Sequence, residues 1–146
     1  MSVKIAVIHG PNLNMLGKRE KSIYGNATLE DINKSLKSLC NQKAELDIYQ
    51  SNHEGELIDH IHNLGIKGFT GIVINAAALT HTSIGIRDAL LSVSIPFIEV
   101  HISNVYKRED FRKTSFLSDC AIGVISGLGP RVYNYAVQYF LETIPD

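Results

Sequence analysis

The chain has 146 residues, 45% of them hydrophobic and 20% charged, with a formal net charge of -1. That length suits one domain with a real hydrophobic core, and the near-neutral charge gives no electrostatic reason to expect nucleic acid or a membrane surface. No apolar run approaches membrane-spanning length, the opening MSVKIAVIHG is too short for a signal peptide, and Cys40 and Cys120 form no CxxC pair, so free thiols and a cytoplasmic address are expected.

Val3 to Ile8 is a short apolar run bounded by Gly10 and Pro11. It fits a strand buried on both faces. Residues 9–27 form a polar loop longer than most connections in compact domains, the kind that tends to bind or cover a ligand. Thr28 caps a helix, with Asp31 completing a capping-box variant, and Leu29, Ile32, Leu36 and Leu39 lie on one helical face. Ala44 to Tyr49 alternates as a second strand. Glu56 to Ile66 makes a second helix with Leu57, Ile58, Ile61 and Leu64 inward, ended by Gly65 and Gly68. Gly71 to Asn75 is the third strand. Ser83 caps a helix running to about Val93. Ile95 to His101 is the fourth strand. Asp110 to Ser118 contains a short helix, and Ala121 to Ser126 is the fifth strand. Pro130 opens the last helix, whose apolar side carries Val132, Ala136, Tyr139 and Phe140.

Strand and helix alternate about five times. The pattern predicts an α/β fold: a five-stranded parallel sheet with helices on both faces and right-handed crossovers, in the flavodoxin-like order 2-1-3-4-5. Ligands in such sheets bind at the carboxyl ends of the strands. The polar residues gather there: His9 to Asn12 after strand 1, Asn75 and Thr80 to Ser83 after strand 3, and His101 to Ser103 after strand 4.

The loop after strand 1 lacks GxGxxG and GxxxxGK[ST], there is no GxSxG elbow, and the six histidines include no HExxH. A metal site from scattered histidines is the lesser alternative, and acid–base chemistry without a cofactor is the reading that remains. Glu99 and His101 are two apart on a strand and leave the same face. Taken alone they read better as a half-buried histidine with its hydrogen-bond partner; the convergence of strand ends shifts the balance towards a catalytic acid. Arg19 and Tyr24 lie five apart in the long loop. A free phenol ionises near pH ~10 and a guanidinium favours its phenolate form, so Tyr24 is a candidate base, or else an exposed loop tyrosine among solvated charges. The amides of Asn12 and Asn75 can position water or an oxyanion. Arg112 and the backbone at Ile102–Ser103 can hold hydroxyls or a carboxylate. Glu54 and Glu56 read as helix-opening residues, His60 and His62 as solvated, and Tyr133, Tyr135 and Tyr139 as packing residues.

These residues resemble a known family over nearly the whole chain. The matching segments are His9-Gly-Pro-Asn-Leu-Asn, Leu16-Gly-Lys-Arg-Glu, Tyr24-Gly25, Ser51-Asn-His-Glu-Gly-Glu-Leu-Ile-Asp59, Thr80-His-Thr-Ser83, Arg87-Asp88-Ala89, Glu99-Val-His-Ile-Ser-Asn104, Arg108-Glu-Asp-Phe-Arg112 and Gly127-Leu-Gly129. In that order they resemble type II 3-dehydroquinate dehydratase, a flavodoxin-like lyase. The resemblance implies one catalytic domain over residues 1–146 and anti elimination of water from 3-dehydroquinate, through an enolate and without cofactor or metal. It makes Tyr24 the base and His101, with Glu99, the acid. Arg19 would stabilise the phenolate and Asn12 would hold the water beside the enolate oxygen. Asn75, Ile102 and Ser103 would bind the substrate carboxylate and nearby polar groups. His81, Arg112 and Asp88 would hold ring hydroxyls, with Asp88 reaching a neighbouring subunit of a homododecamer built from trimers. Arg108 is expected in a lid or carboxylate role. The loop from Gly17 to Gly25 would close over substrate and be mobile without it.

Two positions depart from the family pattern. The usual Asn-Pro-Gly-Ala after strand 3 is Asn75-Ala76-Ala77-Ala78 here, and a proline common before the lid tyrosine gives way to Lys21-Ser22-Ile23. Alanine tolerates positive φ less well than glycine, so the Asn75 turn is expected to be shaped differently. The competing reading from another class is a non-catalytic flavodoxin-like binding module. Such a module would have no reason to keep Tyr24, Arg19 and His101 together. Within enzymes, the competitor is a lyase or isomerase of another polyhydroxy keto acid.

Overall fold

A computed structural model describes residues 3–143. Five parallel strands form one sheet in the order β2-β1-β3-β4-β5, as the pattern predicted. The strands are β1 (Val3–His9), β2 (Ala44–Gln50), β3 (Gly71–Asn75), β4 (Phe97–His101) and β5 (Gly123–Ser126). The helices are α1 (Lys21–Tyr24), α2 (Leu29–Cys40), α3 (Glu54–Ile66), α4 (Ile84–Val93) and α5 (Arg131–Glu142).

The period-two alternation of the strands sorts the core into two layers. Ile5, Val7, Val73, Ile98 and Val100 meet Ile32 and Leu36 of α2 and Val132, Ala136 and Val137 of α5. Ala6, Ile8, Ile72, Ile74 and Phe97 meet Leu57, Ile61 and Leu64 of α3 and Ile86, Ala89 and Leu90 of α4. β1, β3 and β4 are buried on both faces because helices cover both, and their buried ionisable groups are His9 at the end of β1 and Glu99 and His101 of β4.

Helix α2 starts as expected: the Thr28 hydroxyl accepts from Asp31 N–H at 3.1 Å and the Asp31 carboxylate from Thr28 N–H at 3.0 Å. Ser83 caps α4 by accepting from Ile86 N–H. Several boundaries move. α3 begins at Glu54 rather than Glu56, β4 at Phe97 rather than Ile95, and β5 at Gly123 rather than Ala121. The polar stretch after β4 holds two 3₁₀ turns, Val105–Lys107 and Asp110–Lys113. His60 is not solvated: its ring stacks on Tyr49 at 4.1 Å and its Nε2 lies 2.5 Å from an Asp47 carboxylate oxygen. Tyr133 does more than pack, because its fully buried hydroxyl joins His9 to Asn75.

Candidate active site

The strand ends form a pocket lined by Pro11, Asn12, Leu13, Arg19, Tyr24, Asn75, Ala77, Ala78, His81, His101, Ile102, Ser103, Val105, Arg108 and Arg112. Of the residues singled out from sequence, Asn12, Arg19, Tyr24, Asn75, His81, His101, Ile102, Ser103 and Arg112 meet there. Glu99 lies behind His101. Asp88 does not join the pocket of its own chain; it is exposed on α4.

Tyr24 ends the short helix α1 in the loop after β1. Its oxygen accepts from Arg108 Nη1 at 2.6 Å and from Arg19 Nη2 at 3.3 Å. The Arg19 guanidinium carbon also sits 4.3 Å from the ring centroid. Two cationic donors thus converge on one phenol oxygen. Arg108 Nη1 also donates to Ser103 Oγ at 3.3 Å, tying the loop to the end of β4. Nothing in the sequence around Arg108 announces either partner.

Behind the pocket, Glu99 and His101 are 1% and 6% exposed. His101 Nε2 lies 2.5 Å from Glu99 Oε2. Glu99 Oε1 accepts from Ser118 Oγ at 2.7 Å and Ser115 Oγ at 3.0 Å. Burial pushes the Glu99 carboxyl up, but the hydrogen bonds from His101 and Ser118, the charge of His101 and the Ser115 hydroxyl together outweigh it. The group ends below the ordinary glutamate range.

His81 Nδ1 donates to the Thr114 carbonyl at 2.7 Å, which leaves its Nε2 as the free ring nitrogen. Arg112 Nε is held by both Glu109 carboxylate oxygens, at 3.2 and 3.3 Å. Asn12 adopts left-handed backbone geometry with φ 70°, and its N–H donates to Asn52 Oδ1 at 2.9 Å. The carbonyls of Ile102 and Ser103 accept from Gly129 N–H and Ser126 Oγ.

The Asn75 amide is largely engaged within the protein. Its Oδ1 accepts from Ala77 N–H at 3.1 Å and its Nδ2 donates to Tyr133 Oη at 3.0 Å. Tyr133 in turn donates to His9 Nδ1, and His9 Nε2 donates to Asn33 Oδ1, each at 2.9 Å. This order gives every member a partner when His9 is neutral. Burial drives His9 down from 6.5 to about 4 despite its Asn33 hydrogen bond. Ala77, at the position of the expected glycine, has φ 53°, so the departure falls where positive φ is required.

Among the described residues no group of three His, Cys, Asp or Glu side chains is placed to hold a metal ion, and no helix is long and apolar enough to cross a membrane.

The Dehydroquinase class II family model matches residues 3–141. The chain belongs to that family. A 3-dehydroquinate dehydratase from Acinetobacter baumannii is 57% identical over 145 residues, covering 99% of this chain and 96% of its relative. One from Halothermothrix orenii is 53% identical over 142 residues, covering 97% and 95%. Among solved structures, a type II dehydroquinase from Butyrivibrio crossotus superposes with a TM-score of 0.93 at 50% identity, covering 95% of this chain and 97% of that one. Membership of this dehydroquinase family makes the chain an enzyme of the hydro-lyase class, on the flavodoxin-like fold read from its sequence.

Proposed function

We propose that this chain dehydrates 3-dehydroquinate to 3-dehydroshikimate by anti elimination. The observation that carries the reading is a phenol held by two guanidinium groups and a carboxylate-backed imidazole facing one pocket. Tyr24, as phenolate, takes the proton α to the ketone, and the electron pair moves to the ketone oxygen as an enolate. A water held by Asn12 stabilises that oxygen. Collapse of the enolate expels the β-hydroxyl, which takes a proton from His101 and leaves as water. Glu99 orients His101 and stabilises its protonated form. Arg19 and Arg108 stabilise the negative charge on Tyr24 before the proton arrives.

The backbone N–H groups of Ile102 and Ser103, with the Ser103 hydroxyl and the remaining Asn75 N–H, bind the substrate carboxylate. His81 Nε2 and the free Arg112 nitrogens take the ring hydroxyls. Asp88, exposed on α4, serves the site of a neighbouring subunit in a homododecamer of four trimers. The loop from Gly17 to Gly25 opens to release product. No cofactor enters any of these steps. One flavodoxin-like catalytic domain works in the cytoplasm, either in aromatic amino acid biosynthesis by way of chorismate or in quinate breakdown; both use the same reaction.

The test is ultraviolet absorbance of the protein mixed with 3-dehydroquinate and a chelator. The product is a conjugated enone carboxylate, so turnover raises absorbance. Tyr24→Phe and His101→Ala should each lose roughly 10²- to 10⁴-fold in kcat. No rise from folded, assembled protein would sink the assignment.

A further inference from the structure

The turn from Thr114 to Ser118 reaches both pocket histidines from outside the pocket. Its Thr114 carbonyl accepts from His81 Nδ1, and its Ser115 and Ser118 hydroxyls both end on Glu99 Oε1. The Ser115 geometry fixes a direction. Its oxygen already accepts from Leu117 N–H at 3.0 Å and Ser118 N–H at 3.1 Å. A hydroxyl has two acceptor sites and one proton, so the Ser115 proton is left for Glu99. A proton on Oε1 would find no acceptor site open on Ser115. The two carboxylate oxygens therefore have separate duties: Oε1 receives the serines and Oε2 receives His101.

We propose that Ser115 and Ser118 are positioning residues that keep Glu99 a carboxylate and its proton partner His101 in one orientation. This rests on the reading of His101 as the acid. The serine hydroxyls draw charge away from Oε2 and loosen its pull on the His101 proton, which suits a group that must give that proton up. Towards the pocket, His101 faces Arg19, Tyr24, His81, Arg108 and Arg112. On the inner side Glu99 meets serine hydroxyls, and Asp119, next to Ser118, is turned away to Arg87 at 3.1 Å.

The test is a titration of the resting protein followed by ring nitrogen NMR of His101, with kinetics alongside. Ser118→Ala removes only a donor. The Glu99–His101 pair should then take up its first proton about one pH unit higher, whichever partner holds it. In turnover kcat should fall roughly three- to tenfold with KM unchanged. Ser115→Ala should move the midpoint the same way, and Ser115→Thr should restore it. Ser115→Ala also leaves two backbone N–H donors, those of Leu117 and Ser118, without their acceptor, so if it fails to fold, Ser118→Ala decides. A midpoint that stays put in folded Ser118→Ala protein overturns the proposal. A midpoint that moves in a protein that never turns over 3-dehydroquinate supports the brace and overturns only the assigned reaction.

Discussion

Arg108 Nη1 stands 2.6 Å from the Tyr24 hydroxyl oxygen, nearer than the 3.3 Å of Arg19 Nη2. The partner farther away along the chain, 84 residues on, thus makes the shorter contact with the base. Arg108→Lys loses the rigidly held Nη1 that donates to Tyr24 and Ser103 together. The expected cost is roughly 10- to 100-fold in kcat, from a lost charge-assisted hydrogen bond. Steady-state kinetics beside Arg19→Lys checks it. Near-normal turnover in Arg108→Lys would leave Arg19 as the group that activates Tyr24.

His9 sets a pH limit on stability. Its pKa falls from 6.5 in the unfolded chain to about 4 in the fold, chiefly through burial. Between those values the unfolded chain binds the proton and the folded one does not, so stability rises with pH across the window. The contribution is complete above about pH 6.5 and is lost as pH drops to about 4. At ~1.4 kcal/mol per pH unit its ceiling is about 3 kcal/mol. Urea unfolding from pH 4 to 7 should show that slope, and His9→Gln should flatten it. An unchanged slope in His9→Gln would place the proton uptake elsewhere.

Ala77→Gly should stabilise the protein. A non-glycine residue at φ 53° carries a left-handed penalty of about 1 kcal/mol, part of which the greater unfolded-state freedom of glycine cancels. The net gain should raise Tm by about 1–3 °C, with KM within about twofold of the parent. A lower Tm in calorimetry would mean that the turn holds Ala77 by contacts worth more than the strain.

Gly10→Ala should do the reverse. Gly10 N–H donates to the Asn75 carbonyl at 2.7 Å, and an added Cβ would stand 2.5 Å from the Ala76 carbonyl oxygen. That neighbour is backbone, so the turn bearing Asn75 and Ala77 must shift. A loss of roughly 1–3 kcal/mol is expected, together with a lower kcat/KM. Stability and activity that both match the parent would show that the β1 and β3 ends can part freely.

The sheet order was legible because β1 and β3 are mostly apolar runs, β4 opens on one, and strands alternate with amphipathic helices. The pocket was legible because polar residues cluster after those strands. Contacts set by tertiary distance were not. Arg108 finds Tyr24 across the sheet rim, and no local pattern announces that pairing. Helix α1 has four residues and no side-chain cap, too little for any periodicity. Ser115 and Ser118 look like ordinary loop serines until Glu99 is placed beneath them. His60 looks solvated until Tyr49 on the neighbouring strand is seen against its ring. The bond of the Asn75 amide to Tyr133 is likewise a tertiary contact that no local pattern announces.

The chain carries six tyrosines and no tryptophan, so its near-ultraviolet signal belongs to phenols. Tyr133 is fully buried, and burial pushes its ionisation above the ordinary phenol range. In an alkaline titration followed at the phenolate band, this one chromophore stays dark until the interior opens. Because its hydroxyl holds Asn75, its late colour change is an optical clock for the collapse of the pocket wall, readable without a label or a substrate.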